Sequence, residues 1–219
     1  MNKIIALVLL CFLMSFSSSS LAQQKIITAD LSDKSKLQTV NRNATLSKDT
    51  QGKTIIHLDA KPGPGVVWIT GLDFTTGTIE FDVKGKDVLQ QSFVGIAFHG
   101  VNDSTYEGVY FRPFNFQAED PVRKKHAIQY ISLPKYDWPY LRETYPDKYE
   151  HALLSVVDPN NWFHVKISVE NNIIKAFVNS ETQECLSVGP LTHISSGKIG
   201  FWVGNNSDGD FSNLVIKHN

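Results

Sequence analysis

Apolar and polar residues of this 219-residue chain alternate in short runs, with almost no helical periodicity. Alternation over about four to eight residues, bounded by Gly, Asn and Asp turn signals, is typical of antiparallel strands. The clearest runs outside the central region are residues 54–58, 66–70, 77–84, 162–170, 173–179, 198–204 and 211–218. Asn171-Asn172 separates two of them and is a hairpin signal, because Asn tolerates positive φ. The pattern predicts an all-β sandwich or jelly roll.

Residues 92–132 hold three further segments of this kind, closely spaced. In the first, bulky apolar residues alternate with small ones, and the small face ends at His99. In the second, Tyr110 and Arg112 share one face, before Pro113 ends the ladder. One face of this region is therefore expected to pack in the core, and the other to be free for a ligand.

The first 22 residues have the features of a secretory signal peptide. Lys3 provides a positive n-region, residues 4–14 are an apolar h-region too short to span a bilayer, and cleavage is expected after Ala22. Cys11 does not read as a lipoprotein cysteine, since the large Leu10 precedes it. We predict an exported protein, periplasmic or extracellular, and no membrane insertion of the mature chain.

The remaining residues 23–219 suit one all-β domain. Cleavage would leave Cys185 as the only cysteine, so no internal disulfide can form, and a buried structural thiol is expected. Acidic and basic residues nearly balance, which gives no sign of a nucleic-acid or anionic-membrane partner. Arg123-Lys124-Lys125 is expected to be a solvated loop.

Four stretches, residues 77–83, 95–112, 162–167 and 197–216, resemble the concanavalin A-like lectin and glucanase superfamily. Within it, the chain is most similar to secreted bacterial 3-keto-disaccharide hydrolase domains. The resemblance implies a jelly-roll sandwich of two antiparallel sheets. By analogy it also implies glycan binding or glycan cleavage.

The laminarinase-type members of that superfamily carry Glu-x-Asp-x-x-Glu on one strand. Here Glu80 and Asp82 are followed by Gly85 at the last position. Retaining glycosidases need two carboxyls about 5 to 5.5 Å apart. We therefore expect Glu80 and Asp82 on an outward solvated face. The missing second glutamate favours a protein that binds a glycan over one that cleaves it.

Sugar recognition needs planar hydrogen-bond donors for hydroxyls and aromatic faces for the apolar side of the ring. On the free face, Tyr110, Arg112, Asn115 and Gln129 are candidates for substrate binding, with Arg112 favoured. The alternative for Arg112 is a structural arginine that ties the Pro113 turn to a carboxylate.

His99 and Glu107 are candidates for a catalytic acid or base. The alternative for His99 is a satisfied turn histidine at the end of its strand. Glu107 lies in phase with the packing residues but near a strand start, so it is expected at the rim, where it could serve as a general acid if desolvation raised its pKa.

Residues 134–151 form a long connection that interleaves aromatic and charged side chains. Tyr136 and Trp138 belong to it and could stack on sugar rings, as a lid or rim. The alternative is that the segment only covers one end of the sandwich. Trp202, among glycine neighbours, is a further stacking candidate.

Cofactor signals are weak. A turn with Asp208 and Asp210 could hold Ca²⁺, although a plain Asn/Asp turn explains the same residues. Three functions stay open: a carbohydrate-binding module, a glycoside hydrolase of the 3-keto-disaccharide type, and an envelope protein-interaction module.

Overall fold

The computed structural model describes residues 25–219 and is nearly all-β. The predicted signal peptide and Cys11 lie outside the described residues. No helix within residues 25–219 is long and apolar enough to cross a membrane.

Residues 25–219 contain fifteen strands and two short α-helices. The strands are β1 (Lys25–Thr28), β2 (Leu37–Val40), β3 (Ala44–Lys48), β4 (Thr54–Leu58), β5 (Gly65–Phe74), β6 (Gly77–Lys84), β7 (Val94–Asn102), β8 (Thr105–Phe111), β9 (Ile128–Ser132), β10 (Glu150–His151), β11 (Phe163–Val169), β12 (Ile174–Val178), β13 (Leu186–Val188), β14 (Gly197–Val203) and β15 (Gly209–His218). The helices are α1 (Pro121–Lys125) and α2 (Trp138–Thr144), and single 3-10 turns occupy Lys34–Lys36 and Pro113–Asn115.

The strands form two antiparallel sheets. One, here called the outer sheet, has the order β13-β12-β11-β6-β15-β4-β3, with β1 also paired to β15. The other, here called the groove sheet, has the order β10-β9-β8-β7-β14-β5-β2. This is the jelly-roll sandwich that the sequence predicts.

The core lies between the sheets and is built by the strand alternation. Phe201 of β14 packs on Phe211 of β15, with ring centroids 4.8 Å apart, and on Phe81 of β6 at 6.1 Å. Phe201 is paired with Ile96, and Ile96 with Val109, so these residues share the inward face. Each such side chain, fully buried, contributes about 1.5 to 3 kcal/mol.

Most predicted strands are present within a residue or two at each end. The Asn171-Asn172 hairpin is confirmed, with β11 and β12 paired from Val169 and Ile174 outward. The sequence pattern missed β1, β2, β3, β10 and β13. These strands are two to five residues long, and all show mixed or alternating burial that so short a run cannot reveal as a period.

Candidate functional site

A transverse row of residues crosses the groove sheet on the face turned away from the core. Tyr110 is paired with Gly95 on β7 and with Gln129 on β9. Beyond them, Trp202 is paired with Gly95, and Glu150 with Gln129. Their sequence neighbours on β7, β8 and β14 pack into the core, so this row looks outward. We call this side of the groove sheet the groove face.

Glycine at position 95 makes room for the aromatic side chains of the row. A Cβ on Gly95 would lie 2.2 Å from the carbonyl oxygen of Val109 and 2.7 Å from Cβ of Tyr110. Because no side chain fits there, the rings of Tyr110 and Trp202 meet across β7, with centroids 4.9 Å apart. The small residues of the sequence pattern thus set the depth of the groove.

The floor of the groove is a continuous set of aromatic rings. Trp202 Nε1 donates to Tyr106 Oη at 2.9 Å, and Tyr106 packs edge-on to Trp68 at 5.8 Å. At the other end Phe93 packs edge-on to Tyr110 at 6.2 Å. Trp202 is only 8% exposed. It lines the groove as part of this floor, and it does not present the open stacking platform that its glycine neighbours suggested.

The groove above this floor has a volume of about 1200 Å³. Its walls come from the groove sheet, from the loop before β7, and from the two connections that contain α1 and α2. Of the predicted binding residues, it is lined by Arg112, Tyr110, Asn115, Trp138 and Trp202. Gln129 and Tyr136 are not among the lining residues.

Arg112 lies at one end of the row and is almost fully buried. Its Nη2 donates to Tyr110 Oη at 2.7 Å and to Gln129 Oε1 at 3.0 Å, and its Nη1 donates to the carbonyl oxygen of His126 at 2.9 Å. The guanidinium also lies over the Tyr110 ring, 4.9 Å from its centroid. Gln129 therefore acts beneath the groove, by orienting Arg112.

Glu150 supplies one carboxylate to three basic groups. Arg142 binds it with both ends of its fork, at 2.9 and 2.7 Å. Arg112 Nη1 lies 3.6 Å from the same carboxylate, and His126 Nδ1 lies 2.8 Å from it. Arg112 therefore fits both interpretations drawn from the sequence. It is a structural arginine that links the Pro113 turn to a carboxylate, and it also lines the groove.

Burial changes the protonation of this cluster. It lowers the pKa of His126, and although Glu150 opposes that shift, Arg142 and Arg112 reinforce it. The imidazole is therefore neutral at neutral pH. Burial also raises the pKa of Tyr110, so this phenol stays protonated. The hydrogen bonds that Arg142 donates to Glu150 raise the pKa of Arg142.

The rim of the groove is formed by α2. Asp137 caps this helix, its carboxylate accepting from the Tyr140 N–H at 3.1 Å, and Pro139 suits the first turn. Trp138 is held at the groove mouth and is 48% exposed. The Arg142 guanidinium lies 4.9 Å from its ring centroid. Tyr136 instead packs edge-on to Tyr140, outside the groove lining.

Arg123 also reaches the groove, which corrects the expectation that it belongs to a solvated loop. Asp120 caps α1, and Arg123 turns inward to donate to the carbonyl oxygen of Phe114 at 2.8 Å and to Asn115 Oδ1 at 3.3 Å. The sequence signal was the Asp-Pro start of a helix at Asp120, which places every third or fourth residue on one side.

The expected position of Glu107 at the rim is wrong, and His99 corresponds to the alternative of a histidine satisfied by structural contacts. The β7 ladder is irregular after Phe98, and His99 has φ +52°, so its ring leaves the small face and stacks on Phe74 at 5.6 Å. Glu107 is fully buried between the sheets, not at the rim. His99 Nδ1 lies 2.6 Å from Glu107 Oε2, and the Tyr130 hydroxyl donates to Glu107 Oε1. Neither residue lines the groove, and this arrangement satisfies a buried carboxylate.

The remaining predicted features lie elsewhere. Glu80 and Asp82 are on the outward face of the outer sheet, as expected, and pair with Lys217 and His164 at 2.7 Å each. No cluster of three His, Cys, Asp or Glu within residues 25–219 has metal-binding geometry. Asp208 contacts Lys86 at 2.8 Å and Asp210 contacts His57 at 2.7 Å. Calcium binding by these two aspartates stays a prediction. Cys185 is buried, and burial raises its pKa to about 12.

Comparison with known proteins gives a fold but no family. No family model matches the chain, and no curated protein matches it. Solved structures do. A protein of unknown function with a galectin-like fold from Bacillus subtilis is 12% identical, with a TM-score of 0.56, covering 85% of this chain and 91% of that one.

Two further solved structures have named activities. A glycoside hydrolase family 16 endo-glucanase from Bacteroides ovatus is 12% identical, with a TM-score of 0.54, covering 84% of this chain and 95% of its own. The carbohydrate-binding module CBM66 from Bacillus subtilis is 14% identical, with a TM-score of 0.52, covering 84% and 92%. At these identities the likeness establishes a galectin-like or concanavalin-like fold.

Proposed function

We propose that this protein is an exported carbohydrate-binding protein that holds a glycan in the groove of the groove sheet. The observation that carries the proposal is the exposed ring of Trp138, which stands at the mouth of a groove lined by hydrogen-bond donors. A sugar ring has an apolar C–H side that packs on an aromatic face and hydroxyls that need donors and acceptors. Both are present within one groove.

The fold neighbours support the same class of ligand. Their names include a carbohydrate-binding module and an endo-glucanase. A glycan ligand fits an exported protein, and the signal-peptide pattern of residues 1–22 motivates that part of the proposal.

Cleavage of a glycan, as in 3-keto-disaccharide hydrolases, is the second proposal and the weaker one. The carboxylates that line the groove are Asp103 and Asp137. Asp103 accepts from Trp68 Nε1 at 2.9 Å, and Asp137 caps α2. A retaining glycosidase needs its two carboxyls on either side of one bond, whereas here each one is committed to a different structural contact. This arrangement favours holding over cleaving.

Glycan-array binding of the purified protein tests the proposal. We expect Trp138→Ala to weaken binding of the retained glycans roughly tenfold, since one aromatic contact is worth about 0.5 to 1.5 kcal/mol beyond its buried area. Trp162→Ala is the matched control, because Trp162 is also exposed, at 36%, and does not line the groove. Circular dichroism should show both variants folded.

Equal loss of binding in both variants, or none in either, would contradict the groove as the binding site. Binding to no glycan, together with capture of one envelope protein by the groove, would favour the interaction-module hypothesis instead.

A further inference from the structure

The charged residues at one end of the groove indicate which class of glycan would bind there. This inference rests on the proposed function. Arg112, Arg123 and Arg142 all line this end. Within residues 25–219, the carboxylate found within 4.0 Å of Arg112 and of Arg142 is the same one, that of Glu150. Two guanidinium groups therefore share a single negative charge, and this end of the groove has an excess of positive charge.

Two other carboxylates line the groove. Asp103 belongs to the turn between β7 and β8, where it contacts Trp68 and lies 3.8 Å from Lys198. Asp137 accepts from the first turn of α2 and adds a second negative charge at this end. Arg123 adds a third positive charge; it donates to neutral oxygens, and on its far side it borders a small acidic pocket. Three guanidinium groups therefore face two carboxylates at this end of the groove.

Arg112 also keeps hydrogen-bonding capacity for a ligand. A guanidinium has N–H donors on Nε, Nη1 and Nη2 in a fixed fork. The hydrogen bonds of Arg112 within the described residues come from Nη1 and Nη2, and none comes from Nε. Burial strengthens a charge-assisted bond formed here, because the site has a lower effective dielectric than water.

The excess charge lies next to the Trp138 rim. The guanidinium of Arg142 lies over the Trp138 ring, and its N–H groups donate to Glu150. Arg142 therefore connects the stacking surface to the charged end of the groove. A hexuronate carries its carboxylate on the ring carbon framework, beside the C–H face that stacks on an aromatic ring. Its carboxylate can accept from Nε of Arg112 and from Nη1 of Arg142, which donate no hydrogen bond within the described residues. We propose that the groove selects glycans that carry carboxylates, with Trp138 contacting the sugar ring and Arg112 and Arg142 contacting the carboxylate.

The test compares ligands that differ chiefly in charge. Binding of the purified protein to polygalacturonate, to its methyl ester, to a neutral galactan and to a sulfated galactan is measured by affinity electrophoresis at low and high ionic strength. We expect polygalacturonate to bind at least roughly tenfold more tightly than its methyl ester, because bonds to a charged partner exceed neutral ones by that margin. The difference should shrink as salt is added.

The variant Arg142→Gln tests the assignment of residues. Arg142 is partly exposed, so this change is expected to leave the protein folded, as checked by thermal unfolding. Preference for polygalacturonate over the ester should fall several-fold, whereas Arg142→Lys should retain part of it.

Equal binding of the acid and the ester, or stronger binding of a sulfated galactan than of polygalacturonate, would overturn this inference. In both cases the proposed glycan-binding function would still stand. Binding to none of these glycans and to no neutral glycan would instead remove the proposed function itself.

Discussion

The two outward faces of the sandwich carry similar charged groups in different surroundings. On the outer sheet, Glu80 pairs with Lys217, and both are partly exposed. On the groove face, Glu150 pairs with Arg142 and Arg112, and the carboxylate is buried beneath the connections that hold α1 and α2. An exposed pair gains little from its attraction, whereas a buried one is costly to break.

The difference in burial distinguishes ordinary surface ion pairs from a charged cluster that is a candidate for function. Solvated pairs on the outer sheet are ordinary surface ion pairs and need no further explanation. A cluster that holds a buried arginine and a buried carboxylate, with a partly exposed arginine and a neutral histidine, carries a desolvation cost that hydrophobic residues would not. The cluster lies beside an open groove with an exposed tryptophan, and this position fits the ligand-binding role proposed above.

The largest expected effect is the loss of the shared carboxylate. Glu150→Gln leaves Arg112 buried without its counter-charge and should lower the free energy of unfolding by about 3 kcal/mol or more. Glu80→Gln on the outer sheet is the matched control and should cost less than about 1 kcal/mol. Urea unfolding of both variants measures the difference. Equal costs would show that burial does not distinguish the two faces.

A smaller effect is expected at the glycine beneath the aromatic floor. Gly95→Ala places a methyl group 2.2 Å from a backbone oxygen and should cost roughly 1 to 3 kcal/mol by overpacking. Gly108→Ala lies on the same face, where the added Cβ would meet its nearest atom at 3.3 Å. It should change stability by less than about 1 kcal/mol. Thermal unfolding checks both, and a tolerated alanine at position 95 would contradict the role of that glycine.

The smallest effect concerns the histidine of each face. Burial lowers the pKa of His126, so the stability that its neutral form contributes is present above pH 6.5 and is lost as pH falls through its lowered pKa. The hydrogen bond to Asp82 raises the pKa of His164, so its contribution is present below pH 6.5 and is lost as pH rises through its raised pKa.

Urea unfolding at about pH 5.5 and about pH 8 tests these opposite signs. The stability difference between the original protein and His126→Gln should shrink on acidification, whereas the difference for His164→Gln should grow. The same sign for both variants would mean that the two histidines have similar surroundings.

Sequence reasoning found the fold and part of the site. The alternation of residues 92–112 correctly placed Tyr110 and Arg112 on the free face, and that of residues 198–204 placed Trp202 away from the core. It failed at His99, because one residue with positive φ after Phe98 breaks the alternation. It also missed His126, which has no periodic signal of its own and lies in the groove because α1 packs against β10 and the turn at Pro113–Asn115.

By itself, the sequence determined the two-sheet sandwich and which strand faces are apolar, because both follow from side-chain period and turn chemistry, which are local. The tertiary structure alone decided that Glu150 lies between Arg112 and Arg142, and that Glu107 is buried with His99. Arg112 and Glu150 lie far apart in the chain, and the partners in the other two pairs lie eight residues apart, across connections whose course the side-chain period does not predict. Their energies depend on desolvation, which is a property of the folded environment and not of the residue type.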